Sequence, residues 1–421
     1  MGKGTIIIGA GHAGTQLAAT LRQEGYDEPV LLLSKETDFP YHRPPLSKTF
    51  LKAAEDKSQL LRAESFYRTN DIEFLPAVAA EAIDVAAHSV TLEGGEKRYF
   101  DKLVLATGAT PRLPQVPGAD LPGVVAIRTI DDSRRLRTLL PTASAAVIIG
   151  GGFIGLEIAA TLAALGKNVT VLELADRLLG RVVSPYVSDH VLRRLSGQGI
   201  RFLLHTGVSR INAEGGVVKS VRTSAGEEIP AGFVVAGIGV DPNTRLAEEA
   251  GLACNNGILV NHALQTSHPD ILAIGDCARY HHWHAARLVR LESVQNATDQ
   301  ARTAARTIIG RPEPYRAIPW FWSDIGDMKL QMVGLSFDAD RHILVGSQEE
   351  NAFSVYHFAG QRLLAIDSVN RPADHMLGRK MLGAGFSPTP DDVERGRVAE
   401  AFALAGDKVA NDLGSPAAEA G

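Results

Sequence analysis

Two stretches of the chain carry residue types and spacings suited to holding phosphates. Gly9-Ala10-Gly11-His12-Ala13-Gly14 follows the apolar run Thr5-Ile6-Ile7-Ile8, and Gly150-Gly151-Gly152-Phe153-Ile154-Gly155 follows Ala146-Val147-Ile148-Ile149. Each is a GxGxxG string that leaves a predicted strand and enters a predicted helix. In this motif the first glycine makes the tight turn and the second lets backbone approach a pyrophosphate. The third lets the helix pack on the strand. The helix N-terminus adds free N–H groups and a positive dipole end. Two such units imply two dinucleotides in one chain, the arrangement needed to move hydride from a nicotinamide to a flavin.

The elements around the motifs repeat one plan. After the first motif come a helix over Thr15 to Glu24 and a strand at Pro29 to Leu33. After the second come a helix over Leu156 to Leu165 and a strand at Val169 to Leu172, ending in Glu173. Glu173 stands at roughly the 20-residue spacing of a ribose-binding acid. Its charge would repel a 2′-phosphate by roughly 4 kcal/mol at about 4 Å and an effective dielectric near 20, so NADH is expected over NADPH. Arg177 and Arg181 are the residues that could meet a phosphate instead. The segment Asp38 to Lys48 holds Pro40, Pro44 and Pro45, which exclude a regular helix or central strand. Short strands are expected between Ile72 and Leu92, and buried strands at Lys102 to Leu105, Phe233 to Ala236 and Ile271 to Ile274. A long helix is expected from Val294 to Ile309. From about residue 313 aromatics and alternation suggest an antiparallel sheet with terminal helices. The last residues, Gly414 to Gly421, are expected to lack structure.

Composition narrows the function classes. The 421 residues allow two or three domains, and 45% hydrophobic with 22% charged residues is ordinary for a soluble globular protein. A net charge of −5 without a basic run argues against nucleic acid as a partner. No stretch reads as a signal peptide or membrane span. The two cysteines, Cys254 and Cys277, rule out a disulfide framework and fit a cytoplasmic setting.

Further strings give the chain a resemblance. Beside the two glycine motifs stand Arg43-Pro44-Pro45-Leu46-Ser47-Lys48, Ala106-Thr107-Gly108, Gly237-Ile238-Gly239 with Pro242-Asn243, and Ile274 to Ala278. The most specific are Arg290 to Asn296 and Pro319 to Asp324. With these the chain resembles the putidaredoxin-reductase-type ferredoxin reductases, within the two-dinucleotide flavoproteins that include glutathione reductase. The resemblance covers all but the C-terminal tail. It implies an α/β fold of two Rossmann-like dinucleotide-binding domains, the NAD domain inserted in the FAD domain, plus a C-terminal α+β domain. The expected boundaries are 1–109 and 242–312 for the FAD domain, 110–241 for the NAD domain and 313–421 for the last.

The resemblance also implies roles. FAD would meet Gly9, Gly11, His12, Ala13, Gly14, Arg43, Lys48, Ala80, Ala106, Thr107, Gly108, Arg128, Asp276 and Val294. Arg43 and Arg128 would serve its phosphates and Asp276 a ribityl hydroxyl. Relatives often end the second strand in a ribose-binding acid. Here Lys35 stands at that point with Glu36 next, and the contact is open between them. NADH would meet Gly150, Gly152, Phe153, Ile154, Gly155, Glu173, Arg181 and Gly239. Lys48 and Glu157 match an ion pair near flavin N5, and Trp322 an aromatic beside the isoalloxazine. The loop Phe39 to Lys48 lacks the cysteines that disulfide-reducing relatives use there, so electrons are expected to leave singly to an external carrier. The resemblance implies an acidic 2Fe-2S ferredoxin that feeds a monooxygenase or ring-hydroxylating oxygenase. Arg62, Arg302 and Arg306 are candidates for its docking rim. The alternatives are a rubredoxin reductase and, in another class, an apoptosis-inducing-factor-like signalling flavoprotein.

Overall fold

The computed structural model describes residues 3–405, so the tail Gly414–Gly421 lies outside the described residues. Those residues form two compact units. The first comprises 3–176 and 196–317, and the second 177–195 and 318–405.

The first unit contains two parallel five-stranded sheets. One runs in the order Ile271–Ala273, Lys102–Leu105, Thr5–Ile8, Val30–Leu33, Ile72–Leu75. The other runs Arg201–Leu203, Asn168–Leu172, Ala145–Ile149, Phe233–Ala236, Val124–Val125. Each central strand is the one that enters a glycine motif, and its neighbours on both sides are parallel. Both are therefore buried apolar runs without alternation. The strand Ile271–Ala273 returns to pair with Lys102–Leu105 across a long insertion in sequence. Between the two sheets the chain passes twice, at Ala109–Pro111 and at Val240–Pro242, and these segments pair as an antiparallel ribbon.

The helices begin earlier than periodicity alone suggests. His12–Gln23 and Phe153–Ala164 start immediately after Gly11 and Gly152, which occupy the N-cap positions in extended conformation. No side chain caps either end. The first N–H groups of both helices are thus left to a ligand. Within the proline-rich segment, Pro44–Ser47 forms one turn of 3-10 helix with proline at its start, where the missing N–H costs nothing.

The second unit is an antiparallel sheet in the order Trp320–Ile325, Met328–Gly334, Arg362–Val369, Ala352–Ala359, Arg341–Ser347. The helix Pro372–Gly383 packs on it through Met381 and Leu382 against Val333, Phe358 and Ile366. The segment Arg177–Leu195 also belongs to this unit. Ser184 N–H donates to Asp367 at 3.2 Å, and His190 Nε2 meets Asn351 Oδ1 at 2.7 Å. Nothing in the sequence pattern marks this segment off, because it continues directly from the strand that ends at Leu172.

Candidate dinucleotide sites and the residues between them

The first glycine turn is dictated by close approach. Gly9 has φ +111, and a Cβ there would stand 2.3 Å from the Ala106 carbonyl oxygen. A Cβ on Gly14 would stand 1.9 Å from the Gly9 oxygen. Gly11 differs, because a Cβ there meets nothing within 4 Å. The middle glycine faces open space above an uncapped helix end, which is room for a pyrophosphate. Beside it His12 is buried, with Nε2 unpartnered. Burial, helped by His42, Arg43 and Arg128, lowers its pKa to about 3. An orphaned, neutral imidazole next to a donor-rich opening fits a bound phosphate-bearing group.

Lys35 and Glu36, the two candidates at the end of the second strand, are placed differently. Lys35 is exposed. Glu36 lines a shallow, partly open depression together with Gly11, Ser34, Asp38, Tyr41 and Arg43. Its carboxylate accepts from Arg43 at 2.6 Å and from the Tyr41 hydroxyl. The Tyr41 oxygen also accepts from Ile130 N–H at 2.8 Å, and burial raises its pKa. Arg43 in turn donates to the Arg128 carbonyl at 2.6 Å. The proline-rich segment is thereby tied to the start of the helix Ile130–Leu139, whose Ser133 hydroxyl donates to the Leu46 carbonyl at 3.0 Å.

Other residues matched to FAD come together along the C-terminal edge of the first sheet. Arg128 pairs with Asp276 at 2.9 Å. Gly275 N–H donates to Gln300 Oε1 at 2.7 Å, which fixes the turn carrying Asp276 on the helix Val294–Ile308. Val294 opens that helix, and Ser293 caps it by accepting from Asn296 N–H at 3.0 Å. Thr107 and Asn243 exchange hydrogen bonds at 2.7 and 2.8 Å, joining the turn Ala106 to Gly108 to the second chain crossing. Ala80 sits half-buried at the start of a short strand, Ala80–Asp84.

Lys48 and Glu157 connect the two motifs. Lys48 Nζ lies 2.7 Å from Glu157 Oε2, with side chains 19% and 8% exposed. Ser47 Oγ donates to the same oxygen at 2.5 Å, and Thr161 Oγ1 donates to the Ser47 carbonyl at 3.0 Å. Glu157 sits one turn into the helix that the second glycine motif starts.

The second cradle repeats the first. Gly150 has φ +105, and a Cβ on it would stand 2.4 Å from the Gly237 oxygen. A Cβ on Gly155 would stand 2.3 Å from the Gly150 oxygen, whereas one on Gly152 would find its nearest neighbour, the Gly237 oxygen, at 3.7 Å. Phe153 is half-buried and Ile154 exposed. Glu173 accepts from Gly151 N–H at 2.6 Å and from Ala175 N–H at 2.8 Å, so the acid is held over the glycine turn. Gly239, at φ +103, accepts from Arg112 N–H at 2.9 Å. Arg177 spends its guanidinium on the Val183 and Gly180 carbonyls, at 2.8 and 2.5 Å. Arg181 is exposed and, like Arg177, belongs to the second unit.

Trp322 also lies in the second unit, its ring 5.5 Å from that of Trp320. The three candidate docking arginines already have neighbours. Arg62 donates to the Leu61 carbonyl at 2.9 Å and lies over the Phe66 ring. Arg302 pairs with Asp299 at 2.6 Å and Arg306 with Glu313. Cys277 is fully buried, donates weakly to the Ile274 carbonyl at 3.3 Å, and has its pKa raised by burial. Burial likewise raises Cys254 to about 11. Neither thiol is activated as a nucleophile. Sequence reasoning passed over Tyr41, Gln300 and Asn243 as positioning residues. Asn243 had a signal, since it follows Pro242 in the Gly237-Ile238-Gly239 region, whereas Tyr41 and Gln300 had none.

Residues 3–301 match the family model described as pyridine nucleotide-disulphide oxidoreductase, and residues 320–399 the one described as reductase C-terminal. The chain belongs to the pyridine nucleotide-disulphide oxidoreductase family. Rhodocoxin reductase of Rhodococcus erythropolis is 43% identical over 92% of this chain and 91% of its own length. The crystal structure of the ferredoxin reductase for the CYP199A2 system from Rhodopseudomonas palustris superposes with TM-score 0.90 at 44% identity, covering 92% of this chain and 96% of that one. The covalent putidaredoxin reductase-putidaredoxin complex superposes with TM-score 0.92 at 37% identity, covering 96% and 99%. A rubredoxin-NAD(+) reductase of Pseudomonas putida also stands among the relatives, at 38% identity over 87% of this chain and 96% of its own length. This oxidoreductase is an FAD- and NAD-linked enzyme of mixed α/β fold. Among its described residues no helix is long and apolar enough to cross a membrane.

Proposed function

We propose that this oxidoreductase takes hydride from NADH and delivers single electrons to a 2Fe-2S ferredoxin, which supplies a monooxygenase or ring-hydroxylating oxygenase in the cytoplasm. The FAD domain is assigned to 1–109 and 242–312, the NAD domain to 110–241 apart from 177–195, which group with the second unit, and the C-terminal domain to 313–421, of which 406–421 lie outside the described residues. FAD, when bound, accepts a hydride and gives its electrons up one at a time. The Lys48–Glu157 pair ties the loop after the first cradle to the helix of the second, and the two cysteines, Cys254 and Cys277, lie elsewhere in the chain.

The protein's own contributions follow from the cradles. Gly11 and the start of His12–Gln23 hold one pyrophosphate, and Glu36, rather than Lys35, accepts from the adjoining ribose. Arg128 and Asp276, paired at 2.9 Å, supply a donor and an acceptor side by side. Gly152 and the start of Phe153–Ala164 hold the other pyrophosphate, and Glu173 selects the unphosphorylated ribose. Lys48 places a positive charge where negative charge develops on reduction. Glu157 and Ser47 hold it in position.

Ferredoxin as acceptor draws support from relatives named as ferredoxin-type reductases. Arg62, Arg302 and Arg306 are proposed for the docking rim. Anaerobic stopped-flow reduction, followed by mixing with 2Fe-2S ferredoxins and a rubredoxin, tests the reading. Fast bleaching by NADH and rapid transfer to a 2Fe-2S carrier are expected. Transfer only to rubredoxin overturns the acceptor, and sluggish bleaching without any carrier favours a signalling flavoprotein. Added salt should slow carrier reduction but not ferricyanide reduction, and equal sensitivity removes the arginine rim.

A further inference from the structure

At the end of the first sheet remote from the glycine turns, three metal-capable side chains converge. His88 sits in the turn between the short strands Ala80–Asp84 and Ser89–Leu92, and His268 and Asp270 precede the strand Ile271–Ala273. One ligand atom from each lies within 4.8 Å of the other two, and all three residues are half-buried. Among the described residues this is the one such grouping of His, Cys, Asp or Glu. His88 Nε2 stands 3.9 Å from Asp270 Oδ2, a separation two ligands of one ion can have at metal–ligand distances near 2 Å.

The supporting contacts orient the three groups. Lys102 Nζ holds Asp270 Oδ1 at 2.5 Å, which fixes the carboxylate and leaves Oδ2 facing His88. The Phe100 ring stacks on His88 at 5.3 Å, and the Asp270 N–H reaches His268 Nδ1 at 3.3 Å. His88 adopts φ +50, an uncommon conformation for a residue with a side chain. Nothing in hydride transfer uses these residues. Lys102 and Asp270 stand at the starting ends of neighbouring parallel strands, whereas Thr107 and Gly108 follow the finishing end. A strand's length, about 13 Å, separates the two ends.

We propose that His88, His268 and Asp270 form a binding site for a divalent first-row transition cation of the Zn²⁺, Co²⁺ or Ni²⁺ class. Two imidazoles and one carboxylate select such ions over Mg²⁺ and Ca²⁺, which prefer all-oxygen sets. The Lys102 ammonium nearby opposes the cation, so the site is one of modest affinity, completed by water. The bound ion joins the hairpin of Ala80–Asp84 and Ser89–Leu92 to the first parallel sheet and stabilises that junction.

The test uses the untagged, FAD-loaded protein, stripped with chelator and titrated with Zn²⁺ by calorimetry, with bound metal counted after dialysis. Binding of one Zn²⁺ per chain with a raised melting temperature is expected, with both effects lost in His88→Asn and in His268→Gln. Asparagine is chosen at 88 because it tolerates positive φ. NADH-to-ferricyanide turnover should be unchanged in both variants, which reports that they are folded. Absence of saturable binding overturns the proposal. So does binding that survives both substitutions, or that is lost instead in His281→Ala, within the His281–His284 stretch.

Discussion

Lys48 Nζ and Glu157 Oε2 lie 2.7 Å apart although the residues belong to different glycine-motif units, and the contact is largely withdrawn from water. If the flavin lies beside this pair as proposed, the lysine charge would stabilise its reduced form more than its oxidised form. Replacing Lys48 by Met should lower the flavin midpoint potential by roughly 30–60 mV. It should also slow NADH-driven bleaching by about 100-fold. Spectroelectrochemistry and anaerobic stopped-flow read the two effects, and an unchanged potential would dissociate the pair from the flavin.

The three glycines of the first motif do different jobs, and alanine should separate them. Gly9→Ala and Gly14→Ala force a Cβ to 2.3 and 1.9 Å from carbonyl oxygens. Each should cost roughly 2 kcal/mol or more of stability. Gly11→Ala meets no protein atom within 4 Å. Its apoprotein should stay within about 0.5 kcal/mol of the parent, yet weaken FAD binding at least about tenfold. Urea unfolding of apoprotein and fluorescence titration with FAD decide it. Full FAD affinity in Gly11→Ala would remove the pyrophosphate from that opening.

Glu173 is held by Gly151 and Ala175 N–H groups at 2.6 and 2.8 Å, so its carboxylate is prepositioned at the second turn. Glu173→Gln should raise KM for NADH and lower it for NADPH. The combined change in preference should be up to about 1000-fold, the limit set by roughly 4 kcal/mol of like-charge repulsion. Unchanged NADPH kinetics would place the 2′ position elsewhere.

His282 has its pKa lowered to about 4, first by burial and then by His284. Its Nδ1 accepts from the His284 and Ala285 N–H groups at 3.2 and 3.3 Å, which requires the neutral ring. The unfolded chain binds a proton near pH 6.5 and the folded one only near 4. Stability is therefore complete above about pH 6.5 and declines as pH falls toward 4, with a loss of roughly 3 kcal/mol. Chemical denaturation between pH 7 and 4 should show this slope, and His282→Gln should make it shallower by about one proton, the parts due to buried His12 and His375 remaining.

Local sequence determined the two cradles, because a turn that places backbone against backbone admits only glycine, and the buried central strand must be an uninterrupted apolar run. Thr5–Ile8 and Ala145–Ile149 were legible on those grounds alone. So was the lack of a redox cysteine pair, which is a matter of composition. Tertiary structure decided what depends on side chains distant in sequence. Neighbouring Lys35 and Glu36 are indistinguishable as strand-end residues, and only the approach of Tyr41 and Arg43 from the proline-rich segment draws Glu36 inward. The segment Arg177–Leu195 follows Glu173 without a break, yet its hydrogen bonds to Asp367 and Asn351 assign it to the second unit. His88, His268 and Asp270 converge because parallel pairing brings Lys102 and Asp270 to one sheet end, a juxtaposition that residue spacing does not encode.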